Sequence, residues 1–304
     1  MPRLKANFGA DWVAHLRSFL VNPQGWSAAE VALLDDRDVR FRYFDAQRRR
    51  IFLVPRAIRT ADDFVCPPEH EAGWQMLQEE VRNGLDINPR LSKRHSSLLN
   101  PDGLLAEWGV HHFHLGVSPD LRDPDYVGRT GALLYAMVRD KDFYAINVYS
   151  HGDFEDSNIL ESIHRNWPEA IQRYRAKAAT GGSWARSQRR SLRRNNANVL
   201  SVTADGTVYM PIGGPVMASG VKAEAVWLAD YWQIKVDEIQ ANFEEQLQEV
   251  LPALRQQGYA GEDELDAKLI LLSDTAAQVL FPKYEVLVNV ALTVPVAQGR
   301  HAQS

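Results

Sequence analysis

Apolar residues recur at helical spacing between residues 10 and 20, where Trp12, Val13, Leu16, Phe19 and Leu20 predict a short amphipathic helix. VRFRYF (39–44) alternates and IFLV (51–54) is apolar, with DAQRRR between them. This pattern predicts a β-hairpin with a basic turn. Pro67 and Pro68 open a Glu-rich helix that runs through Val81, and Gly84 is its stop. Residues 85–100 read as loop, and a short helix follows over Asp102 to Glu107. Three strands come next: WGVHHFHLG (108–116), ALLYAMV (132–138) and FYAINVYSH (143–151). The RDKD turn between the last two predicts an antiparallel hairpin, so a sheet of at least three strands is expected.

Ile159 to Ala179 predicts a helix that Pro168 breaks or kinks. RSQRRSLRRNN (186–196) is the most basic stretch of the chain. Residues 198–210 predict a second hairpin with Asp205 and Gly206 at its turn, and IGGP (212–215) reads as a loop. Ala223 to Leu254 predicts one long amphipathic helix, or two. Its stripe of Trp227, Tyr231, Ile234, Ile239, Phe243, Leu247 and Leu251 reads as core or as a dimer seam. Glu262 to Leu280 is expected to be helical and Glu285 to Val294 a final strand. The fold class expected is therefore α+β: a central antiparallel sheet carrying the histidine-rich strand, flanked by helices, with a mainly helical C-terminal part. Three segments are expected: residues 1–84, an N-terminal α/β segment; 85–180, the histidine-rich sheet; and 181–304, a hairpin with the long helix.

Composition narrows the class. Of 304 residues, 45% are hydrophobic and 24% charged, with 8 Trp and 10 Tyr, so the chain buries enough surface to fold. A net charge of -5 and a pI near 6.0 exclude a protein that coats nucleic acid by global charge, although a local basic patch can still grip phosphates. The one cysteine, Cys66, permits no intrachain disulfide and no Cys-based zinc site. The first twenty residues carry charges throughout and lack the apolar core of a signal peptide. The longest apolar runs are too short to cross a bilayer. The expectation is a cytoplasmic protein that does not engage membranes.

The candidate chemistry lies on the first of the three central strands. Side chains alternate along a strand, so Val110, His112 and His114 share one face, and His111, Phe113 and Leu115 share the other, which reads as the core face. Residues two apart on a strand place the imidazoles about 7 Å from each other. His151 ends the third strand, Arg129 precedes the second, and Arg139 and Lys141 flank its far end. Cleaving RNA needs a base, an acid and cations on the phosphoryl oxygens. Histidine suits both proton transfers, and arginine suits the oxygens. His112, His114, His151 and Arg129 are therefore the catalytic candidates, with Arg139, Lys141 and Lys93 as substrate contacts and no cofactor expected. His112 and His114 also form an H-x-H pair, so a metal-dependent hydrolase with His112, His114 and His151 as ligands is the alternative chemistry. A third reading is a non-enzymatic interaction protein of a mobile element. The partners expected are RNA and, through the C-terminal helix, a second copy of the chain. His164, on a helix beside Arg165, reads as exposed, and the 186–194 arginines read as a phosphate grip or as a solvated linker.

PRLSK (89–93), WGVHHFHLG (108–116), YAINVYSHGDF (144–154), NWPE (166–169) and IGGP (212–215) resemble a group of uncharacterised bacterial and mobile-element proteins. That resemblance carries no activity with it. Over residues 108–152 the chain also resembles the RelE-like ribonuclease toxins. This second resemblance implies that Arg129 precedes a strand and that a hairpin carries it beside another strand ending in a catalytic residue, here His151. The chain departs from those toxins in its greater length and its acidic pI.

Overall fold

The computed structural model of this chain describes residues 2–22, 26–92, 103–150, 158–177, 186–273 and 275–292. The chain is mixed α+β. It forms two compact units, Met1–Tyr43 with Trp227–Ser304, and Phe44–Val226.

The elements of the first part of the chain are β1 (Arg3–Lys5), α1 (Phe8–Val21), α2 (Ala28–Ala32) and α3 (Asp36–Arg49). The expected hairpin at residues 39–54 is not formed: residues 36–49 are the helix α3. The alternation of VRFRYF fits a strand by period, but local end signals select the helix. The Asp35 carboxylate accepts the Asp38 N–H at 2.7 Å. Asp36 and Asp38 then sit in the first turn, and Arg48 and Arg49 in the last, which complements the helix dipole at both ends.

The unit spanning 44–226 is built on β2 (Ala57–Thr60), α4 (Glu71–Asn83), α5 (Gly103–Trp108), β3 (Val110–His114), β4 (Ala132–Val138) and β5 (Asp142–Ser150). Its sheet has the order β2-β5-β4-β3. The β4 and β5 strands pair antiparallel as the RDKD turn predicts, β3 pairs antiparallel with β4 on the other side, and β2 joins the edge in parallel with β5. The remaining elements are α6 (Asn158–Asn166), α7 (Pro168–Ile171), α8 (Arg186–Arg194) and the small hairpin β6 (Ser201–Val202) with β7 (Val208–Tyr209). Pro168 does break the expected long helix, ending α6 and starting α7.

Both faces of this sheet are covered. On one, Trp74, Leu77 and Val81 of α4 pack on Phe113, Leu134, Ala136 and Phe143. On the other, Ile159, Leu160 and Ile163 of α6 with Trp167 pack on Val110, Leu133, Tyr135 and Met137. The face of His112 and His114 is thus as much a core face as that of Phe113. Double burial also explains why β4 reads as a continuous apolar run.

Arg90, 1% exposed, holds the first of these layers. Its guanidinium makes a two-pronged ion pair with Glu80 of α4, the Nη2–Oε1 arm being 2.7 Å. Nη1 donates to the carbonyls of His114 and Gly116, the latter at 3.0 Å. Gly73 of α4 faces the same place: a Cβ there would lie 1.8 Å from the Leu115 carbonyl oxygen.

The other unit contains α9 (Ala223–Glu245) from Trp227 onward, α10 (Leu247–Gln256), β8 (Glu264–Asp266), β9 (Lys268–Leu272), β10 (Ala276–Phe281) and β11 (Val286–Ala291). The helix expected over 262–280 is replaced by β8, β9 and β10. The operative period there is two: Ala277, Val279 and Phe281 are buried and their neighbours are not. Ser273 closes the β9–β10 turn, its amide and hydroxyl both donating to the Ala276 carbonyl. β10 lies between β9 and β11, and β8 pairs in parallel with β1. Phe243 of α9 packs on Phe8 and Phe281. Among the described residues no helix is long and apolar enough to cross a membrane.

The close approach of α4 to β3 gives the first prediction. Gly73→Ala forces backbone apart and should destabilise the protein by about 3 kcal/mol. Gly131→Ala, with nothing within 4 Å of the new methyl, should leave stability unchanged. Urea unfolding of both variants checks the contrast.

Candidate functional site

β3 places its histidines by register. His112 lies opposite Tyr135 and His114 opposite Leu133 on β4, and Leu133 lies opposite Tyr149 on β5. One end of this sheet face therefore gathers two imidazoles and two phenols. The His112 and Tyr135 rings are 6.3 Å apart, and the Tyr135 and Tyr149 rings meet edge-on at 5.4 Å. His112 is half-buried. His114 is 8% exposed, and His111, on the opposite face beside Phe113, is 7% exposed.

The segment before β4 fixes the His114 ring. The Thr130 amide donates to His114 Nδ1 at 3.0 Å. The Thr130 hydroxyl accepts from the Leu115 amide and donates to the Ala132 carbonyl at 2.6 Å, so its proton is already committed. Because Nδ1 is an acceptor, the neutral ring carries its proton on Nε2. One residue earlier, Arg129 donates through Nη1 to the Leu91 carbonyl at 2.8 Å and lies 4.9 Å over the Tyr126 ring. Its Nη2 is buried without a hydrogen-bond acceptor among the described residues. Burial pushes the Arg129 guanidinium below its ordinary pKa, against the pull of Asp120, Tyr126 and Asp123.

The structure does not bring all the expected groups together. Arg139 and Lys141 lie beyond the far end of β4 and Thr130 before its near end, so the full length of the seven-residue strand, about 20 Å, separates them. There the Arg139 carbonyl accepts from Arg56 and the Lys141 carbonyl from the Ala57 amide. His151 and Lys93 lie outside the described residues. Among the described residues no group of three or more His, Cys, Asp or Glu side chains is arranged to hold a metal ion. Burial, with Glu71 nearby, pushes the Cys66 thiol up to about 11, away from a reactive thiolate.

Two polar clusters escaped the sequence. The first surrounds the IGGP turn. Arg189 of α8 is buried, pairs with Glu107 of α5, donates to the Ser201 hydroxyl at 3.0 Å and lies 5.0 Å over the Trp108 ring. At least this arginine of the basic stretch is therefore an internal strut and not part of a solvated linker. Arg48 reaches the Gly213 carbonyl and Glu224. Lys222, 7% exposed, donates to the Ala106 carbonyl and, at 2.8 Å, to that of Gly214. Burial, reinforced by Arg48, pushes Lys222 down to about 7 against the opposing pull of Asp45, Glu224 and Glu107. No local signal marks this set, because its members are scattered from residue 45 to residue 224.

The second cluster corrects the reading of His164 as an exposed side chain. Its Nδ1 meets the buried Tyr209 hydroxyl at 2.8 Å and its Nε2 meets Asp205 at 3.1 Å. The Thr203 hydroxyl and the Thr207 amide hold the Asp205 carboxyl well below the usual range. This chain docks the β6–β7 hairpin on α6. The Asp-Gly turn was legible, but its contact with a histidine forty-one positions away was not.

Comparison with protein-family models, with curated proteins and with solved structures found no match to this chain.

Lys222 gives the second prediction. Its native pKa of about 7 lies below the ordinary 10.5, so between these values the unfolded chain binds more protons than the folded one. That difference makes stability rise with pH through this window. Lys222→Met should remove this component. Urea unfolding at pH 7, 8 and 9 should show a wild-type-minus-variant difference that grows with pH, and parallel profiles would refute it.

Proposed function

We propose that this protein is a metal-independent endoribonuclease whose reacting side chains are His112 and His114. The observation that carries the reading is the Thr130 amide bond to His114 Nδ1, which leaves Nε2–H as the ring's donor. A neutral imidazole with its proton held on Nε2 is a fixed hydrogen-bond donor for the charge that develops on the phosphoryl oxygens. His112, the more accessible of the two, is the base. It takes the proton of a ribose 2′-hydroxyl, whose oxygen then attacks phosphorus. His114, held neutral, donates a hydrogen bond from Nε2–H to the phosphoryl oxygen as charge builds there. The protonated His112 then gives its proton to the departing 5′-oxygen, and the products are a 2′,3′-cyclic phosphate and a free 5′-hydroxyl.

Arg129 supports the reading from the adjacent residue. A buried guanidinium nitrogen without an acceptor among the described residues suits a phosphoryl oxygen, which accepts paired hydrogen bonds from arginine. The Thr130 amide and the Arg129 side chain thus set the Nε2–H donor and the guanidinium contact to the phosphoryl group from neighbouring positions. His151, at the end of the third strand in the sequence, belongs to the same proposal, as does RNA as the partner.

The third prediction tests this directly. Purified protein incubated with total cellular RNA and EDTA should produce fragments whose 5′ ends accept phosphate from polynucleotide kinase without prior phosphatase. His114→Ala and His112→Ala should each lower the rate about 10²- to 10⁴-fold, and Arg129→Ala should weaken it too. Cleavage that EDTA abolishes would move the histidines to metal ligation. Absence of cleavage by folded wild-type protein would end the ribonuclease reading.

A further inference from the structure

The helix α9 carries an apolar stripe that its own unit leaves uncovered. Trp227 and Ile234 are 62% and 57% exposed, and Tyr231 stands between them at helical spacing. The Trp227 and Tyr231 rings stack at 6.0 Å, which presents one continuous aromatic surface. An exposed Trp beside an exposed Ile is the composition of a contact surface and not of a solvated one.

Charge decides what fits there. Between Trp227 and Glu245 the helix holds five carboxylates and one lysine. Asp230 and Asp237 follow Trp227 and Ile234 by three positions, so both line one edge of the stripe. They are exposed, as is Glu238 at the stripe's end. The single lysine, Lys235, is already held by Glu238 at 2.6 Å and lies 5.9 Å from the Tyr231 ring. A second copy of the chain does not suit this surface. Two-fold pairing of antiparallel helices brings each flank against its own equivalent, so Asp230 and Asp237 of one copy would face the same pair of the other.

Beside the stripe, between α9 and β11, opens a groove of about 140 Å3. Tyr231, Trp232, Glu238, Asn242, Val290 and Leu292 line it, together with Lys235. Aromatic faces with a carboxylate among them favour a cationic head on an aliphatic stem.

We infer that this face of α9 is a docking surface for a basic amphipathic helix, whose apolar side covers Trp227, Tyr231 and Ile234 while its arginines or lysines meet Asp230, Asp237 and Glu238. The surface lies outside the histidine site and does not depend on the ribonuclease reading.

A fluorescein-labelled synthetic helix of leucine and arginine, with all leucines on one face, is the probe. Its anisotropy is titrated with full-length protein, and a leucine–glutamate helix is the control. The basic helix should bind and the acidic one should not. Trp227→Ala and Ile234→Ala should each weaken binding about tenfold or more. Asp230→Asn with Asp237→Asn should flatten its salt dependence. All four positions are at the surface, so circular dichroism should confirm unchanged folding. Equal binding of both helices, or stripe variants that bind like wild type, would overturn the proposal. So would a wild-type dimer in sedimentation that Ile234→Lys converts to monomer, since a second copy would then be the occupant.

Discussion

The buried Arg90 guanidinium is the interaction on which the sheet unit depends. It joins three pieces of chain: α4 through Glu80, the turn at residues 88–90, and the end of β3 through the carbonyls of His114 and Gly116. A buried cation costs several kcal/mol unless every donor is used, and losing one partner of such a pair typically costs about 3–5 kcal/mol. The bond to the His114 carbonyl fixes the backbone of the residue whose ring the Thr130 amide fixes from the other side. The placement of the His114 ring is therefore set by a structural arginine and a loop amide.

Coverage of both sheet faces has a second consequence. A sheet with one wet face could display its histidines anywhere along the strand. Here α6 and Trp167 pack on Val110, Leu133, Tyr135 and Met137 of that face, and the polar groups it holds are half-buried, as His112, Tyr149 and Thr130 are, or tied to a partner, as His114 is to Thr130. Ring contacts and that bond gather His112, His114, Tyr135, Tyr149 and Thr130 towards the end where β3 finishes and β4 begins. Arg139, at the opposite end of β4, is separated from them by a strand whose length is fixed by backbone geometry.

The charged interior around Gly213 and Gly214 follows the same logic in another place. Glu107, Arg189, Arg48 and Lys222 are all tied to one another's segments by ion pairs or by backbone carbonyls. They connect α5, which leads into β3, to the IGGP turn and to α8. A glycine is required in this turn, because a Cβ at Gly213 would lie 2.2 Å from the Leu105 carbonyl oxygen. The basic helix that reads as a nucleic-acid grip thus places at least Arg189 at the service of the fold.

Much was legible in the sequence because it depends on short-range signals. The α+β class, the β3, β4 and β5 strands, the antiparallel β4–β5 hairpin, the Gly84 stop and the break at Pro168 come from period, turn residues and proline geometry, which act within a few residues. Two segments misled the reading where period and end signals disagreed. In 36–49 an aspartate cap overrode an alternating pattern, and in 262–281 acidic residues masked an alternation of two. What only the tertiary structure decided is everything that depends on residues far apart in the chain. The parallel β2–β5 pairing, the Glu80–Arg90 clamp, the His164–Tyr209 contact and the Lys222 cluster each need a fold to exist before their members are neighbours. Sequence alone set which side chains are available and which face of a strand they share. Packing decided whether that face was open, because burial is a property of what lies above a residue and not of the residue itself.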